Sequence, residues 1–261
     1  MKSRLLRFLQ RLGLLGAAYR MYERLKALRG RETVSVADDG LPVPPARLRV
    51  RVAGTADPEW FLESGRLAEE SIRARLGRQG IVVEEVGALL DFGCGCGRVT
   101  RRWRALEGVH GSDMNAEAVA WCRANLPFGR FETNGLAPPL AFADDSFALV
   151  YALSVFTHLT VDLQRAWLRE LRRILRPGGL LLLTTHGRAY LDRLSHEERE
   201  RFDAGEVVVR WEDVAGTNLC SAYHPERALR EDLAEGFAFL ELEPEGALGN
   251  PHQDLSVLRK T

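Results

Sequence analysis

Residues 91–97 read Asp-Phe-Gly-Cys-Gly-Cys-Gly, directly after the apolar run Ala88-Leu89-Leu90. Glycine at every second position forbids a helix and weakens a strand, so the apolar run is a short buried strand that ends in this turn. A turn without side chains lets a ligand approach the backbone closely, and the residues after it offer free N–H groups. A nicotinamide-type fingerprint, G-x-G-x-x-G, needs its third glycine at position 98, where Arg98 stands. The spacing suits instead a small nucleoside whose polar end is an amino acid rather than a pyrophosphate. A tight turn that holds no ligand is the plain alternative.

The chain around this turn alternates between strand and helix patterns. Strands are expected at 88–92, 108–112, 130–133, 147–153 and 180–185, the last after Pro177-Gly178-Gly179. Helices are expected at 59–76, 99–106, 116–125 and 163–175. Repeated βαβ units imply a parallel sheet covered by helices on both faces. The last third breaks the rhythm. Residues 206–211 and 218–222 read as an inserted hairpin, 225–234 as a helix, and 237–242 with 255–259 as a closing antiparallel pair.

The second strand leads to Asp113, 22 residues after Asp91. A carboxylate at that place can accept both hydroxyls of a ribose. Its alternative task is to cap the helix that starts near Asn115, although Asn115 or Ser112 can cap instead. Met114 offers an apolar face to an adenine ring, or is core.

Residues 91–98, Asp113, the strand and turn at 147–159, and Leu175-Arg176-Pro177-Gly178-Gly179 stand in the order of the class I S-adenosylmethionine-dependent methyltransferases, which the chain resembles over roughly residues 80–187. The resemblance implies an α/β, Rossmann-like fold: a mostly parallel seven-stranded sheet with a closing antiparallel strand. An N-terminal helix would precede it, and a β-hairpin insertion at about 187–224 would interrupt it. It implies S-adenosylmethionine as cofactor, with Asp91, Gly93, Cys94, Gly95, Gly97, Asp113, Met114 and Asn134 around it. Gly93 and Gly95 would pass along the methionine part, Asp113 would hold the ribose, and Asn134 would meet the adenine. One departure is Ala148, where many members carry Asp. The tail motifs at 220–225 and 249–254 are similar to a bacterial subgroup associated with glycan and secondary-metabolite gene clusters.

Open parallel sheets bind ligands beyond the C-terminal ends of their strands. His158 follows the fourth strand and His186 the fifth, and topology brings His224 and His252 to the same rim. His110 and His196 read as structural or solvated. A histidine has a suitable pKa to relieve an acceptor hydroxyl of its proton. His158 or His186 is therefore the expected base, and Tyr223, His224 and His252 are expected to shape the acceptor site. Each alone is as readily structural. The four histidines come from separate segments without a carboxylate partner, so no metal is expected.

The 36 basic and 36 acidic side chains cancel, which removes any global pull toward nucleic acid. The balance is uneven: residues 1–30 hold eight Lys or Arg against Glu23, or +7, leaving −7 elsewhere. Leucine and tyrosine at three- and four-residue spacing make residues 4–28 a cationic amphipathic helix. It is expected to dock as a lid, bind a partner, or lie on anionic lipid. Residues 31–58, with Pro42, Pro44 and Pro45, read as a linker in which 48–52 is extended, so the domain proper spans 59–261. Four cysteines without C-x-x-C spacing read as free thiols. No apolar run spans a bilayer. The expected location is the cytoplasm, with peripheral contact at the inner membrane face through residues 1–30 as a further reading. The expected partner is a small-molecule or glycan acceptor. Methylation of a hydroxyl leads. N-methylation and a nucleoside-binding module without chemistry remain as alternatives, and the oligomeric state is open.

Overall fold

The computed structural model describes residues 2–28 and 36–261. Helices α1 (Lys2–Arg11), α2 (Leu15–Ala27), α3 (Ala46–Ala53) and α4 (Pro58–Arg78) come first. Strand β1 (Leu89–Phe92) is followed by β2 (Val109–Asp113), α5 (Ala116–Asn125), β3 (Arg130–Thr133), β4 (Phe147–Ala152), α6 (Val161–Ile174) and β5 (Leu175–Thr185). Helix α7 (His196–Asp203) and strands β6 (Val208–Arg210) and β7 (Ser221–Tyr223) form the insertion. Strands β8 (Phe237–Glu243) and β9 (Asp254–Lys260) close the chain.

The main sheet has seven strands in the order β3-β2-β1-β4-β5-β9-β8. Its first five strands are parallel, β9 runs antiparallel between β5 and β8, and β6 pairs with β7 in a separate hairpin. The order reverses between β1 and β4, which opens a crevice at their C-terminal ends. Parallel strands covered on both faces must be apolar throughout, and every residue of β1 and β4 is buried. One face carries Phe147, Trp167, Leu171 and Ile174; the other carries Ile72, Leu76, Trp103 and Val257.

Local sequence sets the helix ends. Asp57 accepts from Glu59 N with Pro58 in the first turn, Thr160 caps α6, and Ser195 with Glu198 forms a capping box at α7.

Four elements differ from expectation. Residues 4–28 form two helices, because Gly13 at φ +68° ends α1 with the paired bonds Gly13 N to Gln10 O and Leu14 N to Leu9 O. Residues 48–52 are helical rather than extended. The apolar alternation there misled, since the buried Arg49 donates to Pro44 O and Ala56 O and ties both ends of α3 together. Residues 99–106 yield only a 3₁₀ turn at Thr100–Trp103. Thr100, Arg101 and Trp103 bond to Asp91, Asp39 and Tyr151, and these long-range ties fix the turn tightly. Residues 225–234 are a short α turn continued by a π turn at Leu229–Leu233. Residues 29–35, which include the start of the linker, lie outside the described residues.

Arg98 joins α4 and the C-terminal turn to the glycine turn. Its Nη1 donates to Ser64 O (2.8 Å) and Gly249 O (3.1 Å), and its Nη2 donates to Asn250 Oδ1 (2.8 Å). The contact requires glycine at 65, where a Cβ would lie 2.3 Å from Arg98 O. Gly65→Ala should therefore lower stability by about 1–3 kcal/mol. Gly77→Ala, in the same helix but facing open space, should raise it by roughly 0.5 kcal/mol. Urea denaturation of both variants checks the pair; equal effects would remove the steric argument.

Candidate active site

The turn after β1 is held against the end of β2. Gly93 N and Cys94 N donate to Ser112 O, and Gly95 N donates to Asp113 Oδ2 at 2.8 Å. The second carboxylate oxygen of Asp113 accepts from Asn115 N at 2.7 Å. Asn115 caps α5 with its own side chain, which leaves the remaining lone pairs of Asp113 directed to the cleft. Burial pushes the Asp113 pKa up, and the two backbone donors pull it back.

The cleft follows the C-terminal ends of the parallel strands and holds a cavity of about 160 Å³. Asp91, Gly93, Cys94, Gly95, Asp113, Met114 and Asn134 line it; Gly97 does not. A Cβ at Gly97 would lie 2.4 Å from Leu126, so this glycine serves helix packing behind the turn. Met114 and Leu136 are both about two-fifths exposed (42% and 40%) and form an apolar pair beside Asp113. Asn134 accepts from Ser112 Oγ at 2.7 Å. At the other end lie Arg98, Asn250 and Asp91. Asp91 is buried and accepts from Thr100 Oγ1 at 2.5 Å; burial pushes its pKa up to about 6.

The histidines divide. His158 is partly buried and lines the cleft, with Nδ1 2.7 Å from Cys220 O. A carbonyl only accepts, so Nδ1 carries the hydrogen and Nε2 the lone pair. Burial lowers its pKa from 6.5. His186 stands behind it, 6.4 Å between ring centroids, packed at 4.1 Å on Tyr190 and outside the cleft lining. Burial, with His158 and His224 nearby, pushes its pKa down to about 3.

Of the four histidines expected at one rim, His158 alone lines the cleft, while His186, His224 and His252 do not. His224 is buried beneath the hairpin, where its Nε2 meets Gln164 Oε1 at 3.0 Å. The Gln164 amide donates to Phe156 O and Leu159 O, so His224 Nε2 is the donor and Nδ1 a lone pair. His252 is an exposed turn residue paired with Glu245 at 2.7 Å. Tyr223 is buried against His186 at 5.5 Å. None of the three lines the cleft.

Residues that local reasoning did not find complete the cleft. Arg51 and Val52 reach it from α3, and Gly216 and Asn218 from the insertion. Gly216 N donates to His158 O at 2.8 Å, and Asn218 Nδ2 donates to Arg51 O at 2.7 Å, so the insertion and α3 form one roof. Ser154, at φ +59°, is held by a bond from its N–H to Thr184 Oγ1 (2.7 Å) and one to its Oγ from Gln253 (3.0 Å). Such backbone strain persists only where surrounding bonds fix it. Among the described residues, no group of three or more His, Cys, Asp or Glu is placed to hold a metal ion.

The fold is Rossmann-like, with a glycine turn after the first strand, an acid ending the second and an antiparallel closing pair. Residues 90–183 match the family described as a methyltransferase domain. The chain is 33% identical over 147 residues to a malonyl-[acyl-carrier protein] O-methyltransferase of Pectobacterium atrosepticum, covering 56% of this chain and 54% of that protein. It is 27% identical over 150 residues to an uncharacterized protein of Haemophilus influenzae, covering 52% and 51%. The chain thus spans about half the length of the curated relatives it matches. A solved S-adenosylmethionine-dependent methyltransferase from Methanosarcina mazei is similar in fold, with TM-score 0.53 and 20% identity over 70% of this chain and 96% of that one.

The histidine burial has a consequence for stability. In the unfolded chain a histidine takes up a proton near pH 6.5, whereas folded His224 holds its neutral form down to about pH 3 through burial. Its contribution is complete above pH 6.5 and is lost as the pH falls toward 3. Asp91 acts in the opposite sense, because its folded pKa near 6 exceeds the unfolded value of 3.8. Between pH 6 and 4, replacing His224 by Gln should flatten the fall in unfolding free energy by up to about 1.4 kcal/mol per pH unit. Urea titrations at several pH values measure this, and an unchanged slope would show that His224 is not buried neutral.

Proposed function

We propose that this chain transfers a methyl group from S-adenosylmethionine to a hydroxyl of a small molecule or glycan precursor, with His158 as the general base. The observation that carries the reading is the fixed tautomer of His158: Nδ1–H is held on Cys220 O, and the lone pair belongs to a residue of the cleft. Burial keeps that ring neutral at pH 7. The O-methyltransferase name of the Pectobacterium relative supports an oxygen acceptor.

The cleft suits the cofactor. Asp113 would hold the ribose hydroxyls, and Met114 and Leu136 would flank the adenine. Arg98 and Asp91 would face the amino-acid carboxylate and ammonium. Bound S-adenosylmethionine supplies a methyl group on a sulfonium centre. His158 Nε2 takes the hydroxyl proton as the acceptor oxygen becomes the nucleophile, and His186 supports its ring from behind. Positioning contributes as much as proton removal, since alignment alone is worth roughly 7–11 kcal/mol of barrier. The acceptor would approach beneath the roof made by Arg51, Gly216 and Asn218, and not beside Tyr223, His224 or His252. The proposed location is the cytoplasm, with residues 1–30 as the segment that reaches the inner membrane face.

Calorimetric titration should show micromolar binding of S-adenosylmethionine, on the order of 8 kcal/mol, abolished by Asp113→Ala. Tight binding of NAD instead would overturn the assignment. His158→Ala should lower turnover by about 10²–10⁴-fold with cofactor affinity unchanged. In the wild type, the acid limb of kcat should fall below pH 6.5, the ordinary histidine value that burial lowers. Full activity in His158→Ala would refute the base.

A further inference from the structure

Helices α1 and α2 leave an apolar face in solvent. Leu28 is 81% exposed, and Phe8, Leu12, Met21, Tyr22 and Leu25 are each between 53% and 58% exposed. Met21, Tyr22, Leu25 and Leu28 recur at positions i, i+1, i+4 and i+7, which places them on one side of α2. Soluble surfaces seldom gather so many large apolar side chains in one short segment.

The face is not exposed for want of docking. The other side of α2 is anchored: Leu15 is fully buried, and Lys26 Nζ donates to Gly54 O. Tyr19 lines a cavity with Asn218, and Gln10 Nε2 donates to Asp213 Oδ1 at 2.8 Å. A helix fixed by one face and bare on the other presents a surface.

Charge selects the occupant. Residues 1–30 carry +7 while the rest of the chain carries −7. Exposed Arg11, Arg20 and Arg24 lie among the apolar residues. A second copy docked on this face would bring two such cationic segments together. An anionic bilayer meets both requirements at once, taking the apolar side chains into the headgroup boundary and the guanidinium groups onto lipid phosphates. Among the described residues, no helix is long and apolar enough to cross a membrane. We propose that α1 and α2 lie flat on an anionic lipid surface through this face.

The inference does not depend on the methyl-transfer reading, but it gives that reading a geometry. Tyr19 and Glu23 of α2 help to line a second cavity, which shares Arg51, Gly216 and Asn218 with the cofactor cleft. One helix thus carries the lipid contact and a wall beside the site.

Flotation with vesicles of phosphatidylcholine containing about one-third phosphatidylglycerol tests the proposal on the full chain. The wild type should float with these vesicles and at least tenfold less with pure phosphatidylcholine, an expectation of about that order from the basic residues. Leu25→Glu with Leu28→Glu should abolish flotation, with the far-ultraviolet spectrum and the S-adenosylmethionine affinity unchanged. Absence of wild-type flotation overturns the proposal, as does flotation that survives the double substitution. A concentration-dependent dimer that the same substitutions dissolve, without flotation, would assign the face to a second copy instead. Cofactor binding lost in the wild type would count against the methyltransferase reading and leave the flotation result standing.

Discussion

The carboxylate of Asp113 is the point on which the site depends. One oxygen holds Gly95 N and the other Asn115 N, so a single side chain fixes the turn after β1, the end of β2 and the entry to α5. The turn has no side chains of its own to hold it. Without that acceptor its N–H groups would be satisfied by water, and the register of the turn against the cleft would loosen. The cost is a buried carboxylate, offset by two backbone donors. Asp113 also lines the cleft, so one group both fixes the turn and faces the open space beside it.

A second brace acts from outside the parallel sheet. Arg98 stands where a dinucleotide fold has its third glycine, and its guanidinium bonds α4 to the turn around Gly249 and Asn250. A buried guanidinium is costly unless every direction is met. Here three partners meet it, and Gly65 and Gly249 keep the backbones close enough for that. The same residue thereby ties α4 and the C-terminal turn to the edge of the crevice.

Much of this was legible in the sequence, for identifiable reasons. Strands β1 and β4 are largely apolar runs, and their limits follow from burial on both faces. The geometry of the glycine turn also follows from local chemistry, because turn, acid and helix cap lie within 27 residues of one another, from Asp91 to Glu117. The misreadings arise where distant contacts decide. Residues 48–52 alternate as a strand does, yet Arg49 folds them into a helix by bonding across the segment. Val52 of that helix then lies against Gly95, where an added Cβ would sit 2.5 Å from it. His224 and His252 were placed by topology alone. Topology gives the edge of the sheet but not the depth at which a side chain ends, and Gln164 and Glu245 take these two rings elsewhere.

The parts that roof the cleft lie outside the stretch that matches the shared domain. Gly216 bonds His158 from the insertion, Arg51 arrives from α3, and Tyr19 reaches Asn218 from α2. None belongs to residues 90–183, the stretch that matches the methyltransferase domain family. The division has a physical basis. A cofactor of constant shape is served by backbone turns and strand ends, which the sheet order fixes. An acceptor must instead be selected by side chains on surfaces that pack against the rim without altering the sheet. Loops and flanking helices meet that condition, because their backbone bonds are satisfied locally and their faces can change without cost to the core. On the proposed reading, the specificity of this chain resides in the contact between its N-terminal helices and its insertion, and the neighbouring rings of His158 and His186 lie where that contact meets the sheet.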